Sequence, residues 1–245
     1  MRQNPNRTLT RYISLTKLLA FLEHGLFIPK ATLFDDELEG VLYYFGEKKP
    51  TNHIISRESI RSCMDWIYIS CWHLDETESH AMWKIYGASS ESVAIQTTEA
   101  DFKYAYFSLK SNMHTYFDSV RYKNPTQDNI KELDSIFVLN NINTPTYENT
   151  ATYAALLSFM KHSGFSFENE ARLIAIDPNA NSTSKNNSNG ISISNIESQQ
   201  MIKKILIHPY APVWFEKLVI DILCNRYKLD IPVHRSVLVE DSASM

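Results

Sequence analysis

The sequence predicts a single α+β domain with a mixed or largely antiparallel sheet and flanking helices. Three observations lead there. Runs such as Trp66–Trp72 (WIYISCW) and Ser92–Thr97 (SVAIQT) alternate or concentrate apolar residues, as half-buried and buried strands do. Helix-like segments separate such runs without the strict alternation of a doubly wound fold. Apolar residues make up 44% of the 245, enough for a packed core and unlike the composition of a disordered chain.

The elements follow in order. Residues 1–9 read as a loosely ordered N-terminus, residues 10–239 as the domain and residues 240–245 as a tail. Thr10–Ser14 opens with a strand. Leu15–His24 carries Leu18, Leu19 and Leu22 at helical spacing, with Gly25 where a C-cap belongs. Leu26–Ile28 returns to strand character before Pro29, and Phe34–Gly40 (FDDELEG) is an acidic turn. Ser56–Asp65 reads as a helix, Trp66–Trp72 as a strand, Glu76–Tyr86 as a helix ended by Gly87, and Ser92–Thr97 as a strand. Further on come helices over Asp101–Lys110, Asp128–Leu139 and Ala151–His162, and strands over Thr115–Tyr122 and Ala171–Ile176, the latter starting near Phe167. Pro178–Gly190 is rich in Asn and Ser and reads as a loop or long hairpin tip from which Ile191–Ile193 pairs back. A strand over Ile202–His208, an amphipathic helix over Val213–Tyr227 and a strand over Pro232–Leu238 close the chain.

Composition narrows the function. A net charge of −4 gives no general attraction to nucleic acid. Cys63, Cys71 and Cys224 are too scattered for zinc-ligand spacing, and an odd, sparse cysteine count suits a reducing compartment. No secretory signal is read, and no apolar run approaches the roughly 20 residues that span a bilayer. The expectation is a cytoplasmic protein without a membrane partner. There is no Gly-rich phosphate loop, HExxH or GxSxG, so the common nucleoside-triphosphate, zincin and α/β-hydrolase readings fall away.

Four groups of residues carry chemistry. In FENEARL (Phe167–Leu173), a strand would place Glu168 and Glu170 on one face. Two such acids repel and need a cation, proton or substrate; Arg172, two residues on, is a candidate cation, and a solvated Glu–Arg face is the alternative. Arg11, with Tyr12 and Ser14, offers a planar fork suited to diphosphate or carboxylate, while a surface Arg and a helix N-cap at Ser14 account for the same residues. Ser70 and Trp72 share a strand face, and Trp83 and Tyr86 share a helix face. Together they make a stacking platform for a flat ring, or simply core packing. Asp35, Asp36 and Glu39 either bind a divalent cation or cap a turn.

Taken in order, RYIS, GLFIP, FDDELEG, YISCW, MWKIYG, SVAIQT, FENEARL and HRSVL resemble a widespread bacterial family, domain-of-unknown-function family 2971, over roughly Arg11 to Leu238. The chain is also similar, more weakly, to the ADP-ribosyltransferase superfamily. That superfamily places Arg or His on a first strand, Ser or Tyr on a second, and an acid, often in E-x-E, on a late one. Arg11, Ser70 and Glu170 stand in that order here. Ser70-Cys71-Trp72 departs from the Ser-Thr-Ser of the Arg-type transferases, and FDDELEG has no counterpart there.

This second resemblance implies an ADP-ribosyltransferase-like fold and NAD as substrate. Glu170 would stabilise the oxocarbenium-like charge on the ribose, and Glu168 would activate or orient a protein or nucleic-acid acceptor. Arg11 would hold the diphosphate with Tyr12, Ser14 and Arg172 nearby. Ser70 would support Glu170, and Trp72, Trp83 or Tyr86 would stack on nicotinamide. No resident metal is expected. A Mg²⁺-dependent hydrolase or nuclease using Asp36, Glu39, Glu168 and Glu170 is one alternative. A non-enzymatic binding or regulatory module, for instance in bacterial stress or phage defence, is the other. The apolar side of Val213–Tyr227 fits either core or a homo-oligomer surface.

Overall fold

The computed structural model describes residues 7–34, 57–87, 89–124, 146–179 and 186–238. The chain is α+β. Seven strands hydrogen-bond in the order β11-β10-β4-β1-β3-β8-β5: β1 (Thr8–Ser14), β3 (Ile67–Leu74), β4 (Ser92–Thr98), β5 (His114–Ser119), β8 (Glu170–Ile176), β10 (Lys204–Ile207) and β11 (Val233–Arg235). The sheet is mixed and mostly antiparallel: β1 pairs antiparallel with β3 and β4, β4 with β10, and β5 with β8, while β10 and β11 run parallel. The expected fold class therefore holds. By its internal contacts the chain forms two compact units, each discontinuous in sequence.

The first unit comprises residues 1–27, 72–108 and 192–245. In it, Ser14 ends β1 and caps α1 (Leu15–His24), its Oγ accepting from Lys17 N–H at 3.3 Å. Leu18, Phe21 and Leu22 form the buried stripe of α1. Gly25 ends the helix at φ 85°, where a Cβ would sit 1.9 Å from the Ile193 carbonyl oxygen; both the left-handed backbone and the close approach require glycine. Ser79 caps α3 (His80–Tyr86) by accepting from Met82 N–H. Tyr12, Met82, Trp83, Ala94 and Leu206 form a core cluster. Thr98 caps α4 (Glu99–Ala105). The reading of one helix over Asp101–Lys110 is corrected: α4 starts two residues earlier, and Tyr106–Ser111 winds more tightly as a 3₁₀ turn.

Other expectations for this unit need revision. A short helix, α6 (Asn195–Gln200), precedes β10 and escaped the sequence reading; Ser194 caps it and its Ser198 hydroxyl receives the Leu26 N–H at 2.8 Å. The last long helix is α7 (Val213–Asp221), which continues through Ile222–Arg226 as a wider π turn. The closing strand spans Val233–Arg235 rather than Pro232–Leu238.

The second unit comprises residues 28–71 and 109–191. Its core joins α2 (Arg57–Cys63), α5 (Tyr147–Leu157) and strand residues through Ile60, Ile67, Ile69, Tyr153, Leu157 and Ile174. All seven residues of β8 are buried. The expected continuous strand over Thr115–Tyr122 is divided. After Ser119 the chain leaves β8, and β6 (Arg121–Tyr122) runs parallel to β7 (Met160–Lys161), with Arg121 N–H donating to Phe159 O at 2.7 Å. This exchange of partner also corrects the helix over Ala151–His162. It starts four residues earlier and stops at Leu157, where the Ser158 hydroxyl bonds back to Ala154 O at 2.9 Å; Met160 and Lys161 are then drawn into β7. The segment after the Asn/Ser loop, β9 (Gly190–Ser192), pairs with β2 (Phe27–Pro29), so it is no hairpin return onto β8. Asp128–Leu139 and Asp35, Asp36 and Glu39 lie outside the described residues.

Candidate functional site

FENEARL is built differently from the strand expected there. Ser163–Glu168 is a 3₁₀ turn, Asn169 takes the left-handed conformation at φ 40°, and β8 begins only at Glu170. Glu168 and Glu170 still converge, but through this turn and not through strand alternation. Asn is among the few residues that adopt such a backbone readily.

The two acids enter a buried cluster of four charged groups. Lys161, Glu168, Glu170 and Arg172 are 3%, 3%, 4% and 1% exposed. Arg172 Nε donates to Glu170 Oε2 at 2.6 Å, and its Nη1 donates to the Ser158 carbonyl at 2.8 Å. Lys161 Nζ, on β7, donates to Glu168 Oε2 and, at 3.1 Å, to Glu170 Oε1. The Lys161 ammonium also lies 4.5 Å from the centre of the Phe165 ring. Glu170 N–H donates to the Tyr122 hydroxyl at 2.8 Å. Arg172 thus pairs with Glu170.

The acids divide their protonation. Burial pushes the Glu168 carboxyl up to about 7, helped by its hydrogen bond to Glu170 and opposed by Lys161. Burial also acts against a charge on Glu170. There Arg172 outweighs it, with Glu168 and Lys161 assisting, and holds the carboxyl well below the ordinary range. Of the two, Glu168 is the one that exchanges its proton near neutral pH, while Glu170 stays ionised. Burial raises the Tyr122 hydroxyl far above its ordinary value, so it stays neutral. One acid poised near neutrality beside one fixed anion is a pattern that divides acid–base work between two carboxyls.

The remaining predicted residues take these places. Ser70 is fully buried on β3 in the second unit. The others belong to the first unit. There the Arg11 guanidinium lies 5.7 Å over the Trp72 ring. Trp72 packs on Phe102 with centroids 5.0 Å apart. Trp83 packs between Tyr12 and His208 at 4.8 and 5.2 Å and donates to Glu78 Oε2 at 3.0 Å. The Tyr12 hydroxyl accepts from Ser79 N–H at 3.0 Å, and burial pushes it up to about 12. Ser14 serves as the N-cap. Trp72 and Trp83 are buried, whereas Tyr86 is exposed. Among the described residues, no group of three or more His, Cys, Asp or Glu is arranged to hold a metal ion, and no helix is long and apolar enough to cross a membrane.

Lys161 and Tyr122 are the cluster members that sequence reasoning missed. A signal for Lys161 existed: two neighbouring buried acids need more cation than Arg172 alone supplies. Nothing local pointed to Tyr122, which reaches Glu170 from 48 residues away.

No curated protein matches the chain. Residues 82–173 match the family described as "Protein of unknown function (DUF2971)", and that stretch contains Lys161, Glu168, Glu170 and Arg172. The family resemblance read from the order of the motifs is borne out over these residues.

Proposed function

We propose that this protein cleaves the nicotinamide–ribose bond of NAD, passing ADP-ribose to an acceptor or to water. The observation that carries the reading is the buried acid pair: Glu170 held by Arg172 at 2.6 Å and Lys161 at 3.1 Å, with Glu168 bound to the same Lys161 ammonium; burial pushes the Glu168 carboxyl up to about 7 while Arg172 keeps Glu170 low. When the C1′–N1 bond breaks, its electron pair goes to the nicotinamide nitrogen and neutralises the positive ring. Positive charge then builds on the ribose, and an anion there stabilises it. The new bond forms from C1′ to the acceptor oxygen or nitrogen, whose proton passes to ionised Glu168, a base suited to neutral pH. Ser70 would support Glu170, as the resemblance implies. Free thiols at Cys63, Cys71 and Cys224 support a reducing, cytoplasmic setting.

The test is nicotinamide release from NAD by the purified chain, with and without protein and nucleic-acid acceptors. Glu170→Gln, checked for folding by circular dichroism, should lower turnover by about a hundredfold or more. A wild-type chain that neither binds nor consumes NAD under any acceptor ends the reading.

A second reading has its own support. Both Glu170 oxygens are already engaged by cations, and the whole cluster is nearly sealed from water. This favours a binding or regulatory module in which the four charges fix the backbone. Under that reading Glu170→Gln destabilises the fold and changes no NAD-dependent signal.

A further inference from the structure

Glu168 and Glu170 are both buried and share one neighbouring ammonium. Lys161 comes from β7, outside FENEARL, and its ammonium touches both acids. A lysine suits this position. Its compact head turns three donors toward different oxygens, whereas a guanidinium fork matches the two oxygens of one carboxylate. Its ammonium contacts Glu168 and Glu170; Arg172 pairs with Glu170, and Tyr122, the β6 register partner of Lys161, accepts from the Glu170 amide. The Phe165 ring takes up the ammonium's remaining face.

We infer that Lys161 is the positioning residue of the acid pair: it spans both carboxyls and loosens the proton on Glu168 so that it can exchange, while Arg172 keeps Glu170 the anion. The use of that proton rests on the NAD reading above. The division itself is a property of the folded chain and is measured without NAD.

The experiment follows the Glu168 and Glu170 side-chain carboxyl ¹³C signals of the full chain against pH. Glu168→Gln and Glu170→Gln assign the signals. Lys161→Met removes the ammonium and keeps the stem. The Glu168 midpoint should then rise by about one pH unit or more, because the ionised form loses an opposite charge, while Glu170 stays ionised on Arg172. Lys161→Arg should bring the midpoint most of the way back. A Glu168 midpoint that does not move in folded Lys161→Met overturns the inference.

If Lys161→Met does not fold, the wild-type Lys161 ¹⁵Nζ signal takes its place. It should shift with the Glu168 titration, and indifference to that titration overturns the inference equally. NAD turnover is recorded in parallel. Carboxyl shifts as expected without turnover support the lysine's role and remove only the NAD reading. Turnover with an unmoved midpoint removes only the lysine's role.

Discussion

Each unit of the molecule buries a carboxylate between two cations, and the two arrangements differ in what surrounds them. In the first unit, Glu99 is fully buried and takes Arg7 and Lys103, each at 2.6 Å. Those cations are 26% and 36% exposed, so they reach in from the surface and keep much of their hydration. Burial opposes the Glu99 charge, but the two cations outweigh it and hold its carboxyl low. In the second unit the cations are as buried as the acids, and there are two acids. Glu99 is a single anion with a settled charge, whereas Glu168 and Glu170 leave a proton to be placed. Burial of charge alone does not mark a functional site, because Glu99 shares it. The unsettled proton is what sets the second cluster apart.

The largest expected effect separates the two clusters by stability. Arg172→Met leaves Glu170 short of a cation and Ser158 O short of a donor, at a cost of about 3–5 kcal/mol. Glu99→Gln leaves cations that can turn back to water, and should cost about 1.5–3 kcal/mol. Urea unfolding of both variants checks this, and equal losses would erase the distinction.

Asn169 tests the turn that brings the acids together. Asn169→Val should cost at least about 1–2 kcal/mol, since a β-branched residue resists the left-handed backbone. Asn169→Gly should be nearly neutral. The comparison is sharpened if Asn169→Val also moves the Glu168 midpoint, which thermal melts and carboxyl titration together would show.

The pH dependence follows from the signs. The Glu168 carboxyl is raised from 4.5 to about 7. Its contribution to stability is complete below 4.5 and is lost as pH rises through about 7. Glu170 is lowered, so its contribution is present above the ordinary carboxylate range and is lost only in strong acid. Between pH 4.5 and about 7, the wild-type melting temperature should fall relative to Glu168→Gln. A difference of about 2–4 °C corresponds to about 1 kcal/mol in a chain of this size. Parallel profiles would refute the proton on Glu168.

The smallest effect belongs to Lys103→Met, at under about 1 kcal/mol and weakening with salt. A loss comparable to that of Arg172→Met would mean that the surface-reaching cations of Glu99 are no different in kind from the buried ones.

Much of the fold was legible because it rests on local signals. Ser14 and Gly25 bracket α1, Gly87 ends α3, and the apolar runs of β3, β4 and β8 read as strands. What was not legible depends on partners distant in sequence. Val120 breaks a plausible strand because Arg121 and Tyr122 pair with Met160 and Lys161. Lys161 sits in a stretch whose apolar content extends the α5 pattern, so periodicity placed it on a helix. In the site, Glu168, Glu170 and Arg172 were found from spacing, but the reason given for their meeting was mistaken. A left-handed residue between them replaced strand alternation. The short α6 was masked by its polar sequence, where capping by Ser194 and burial of Ser198 do the work that apolar periodicity usually does.

The Glu170 amide, bound to a phenol oxygen instead of a ladder carbonyl, lies at the mouth of a strand whose other residues are deeply enclosed. Its deuterium uptake would therefore act as a built-in gauge of how often the charge cluster opens, separate from global unfolding. Amides further along the same strand would supply the slow reference clock.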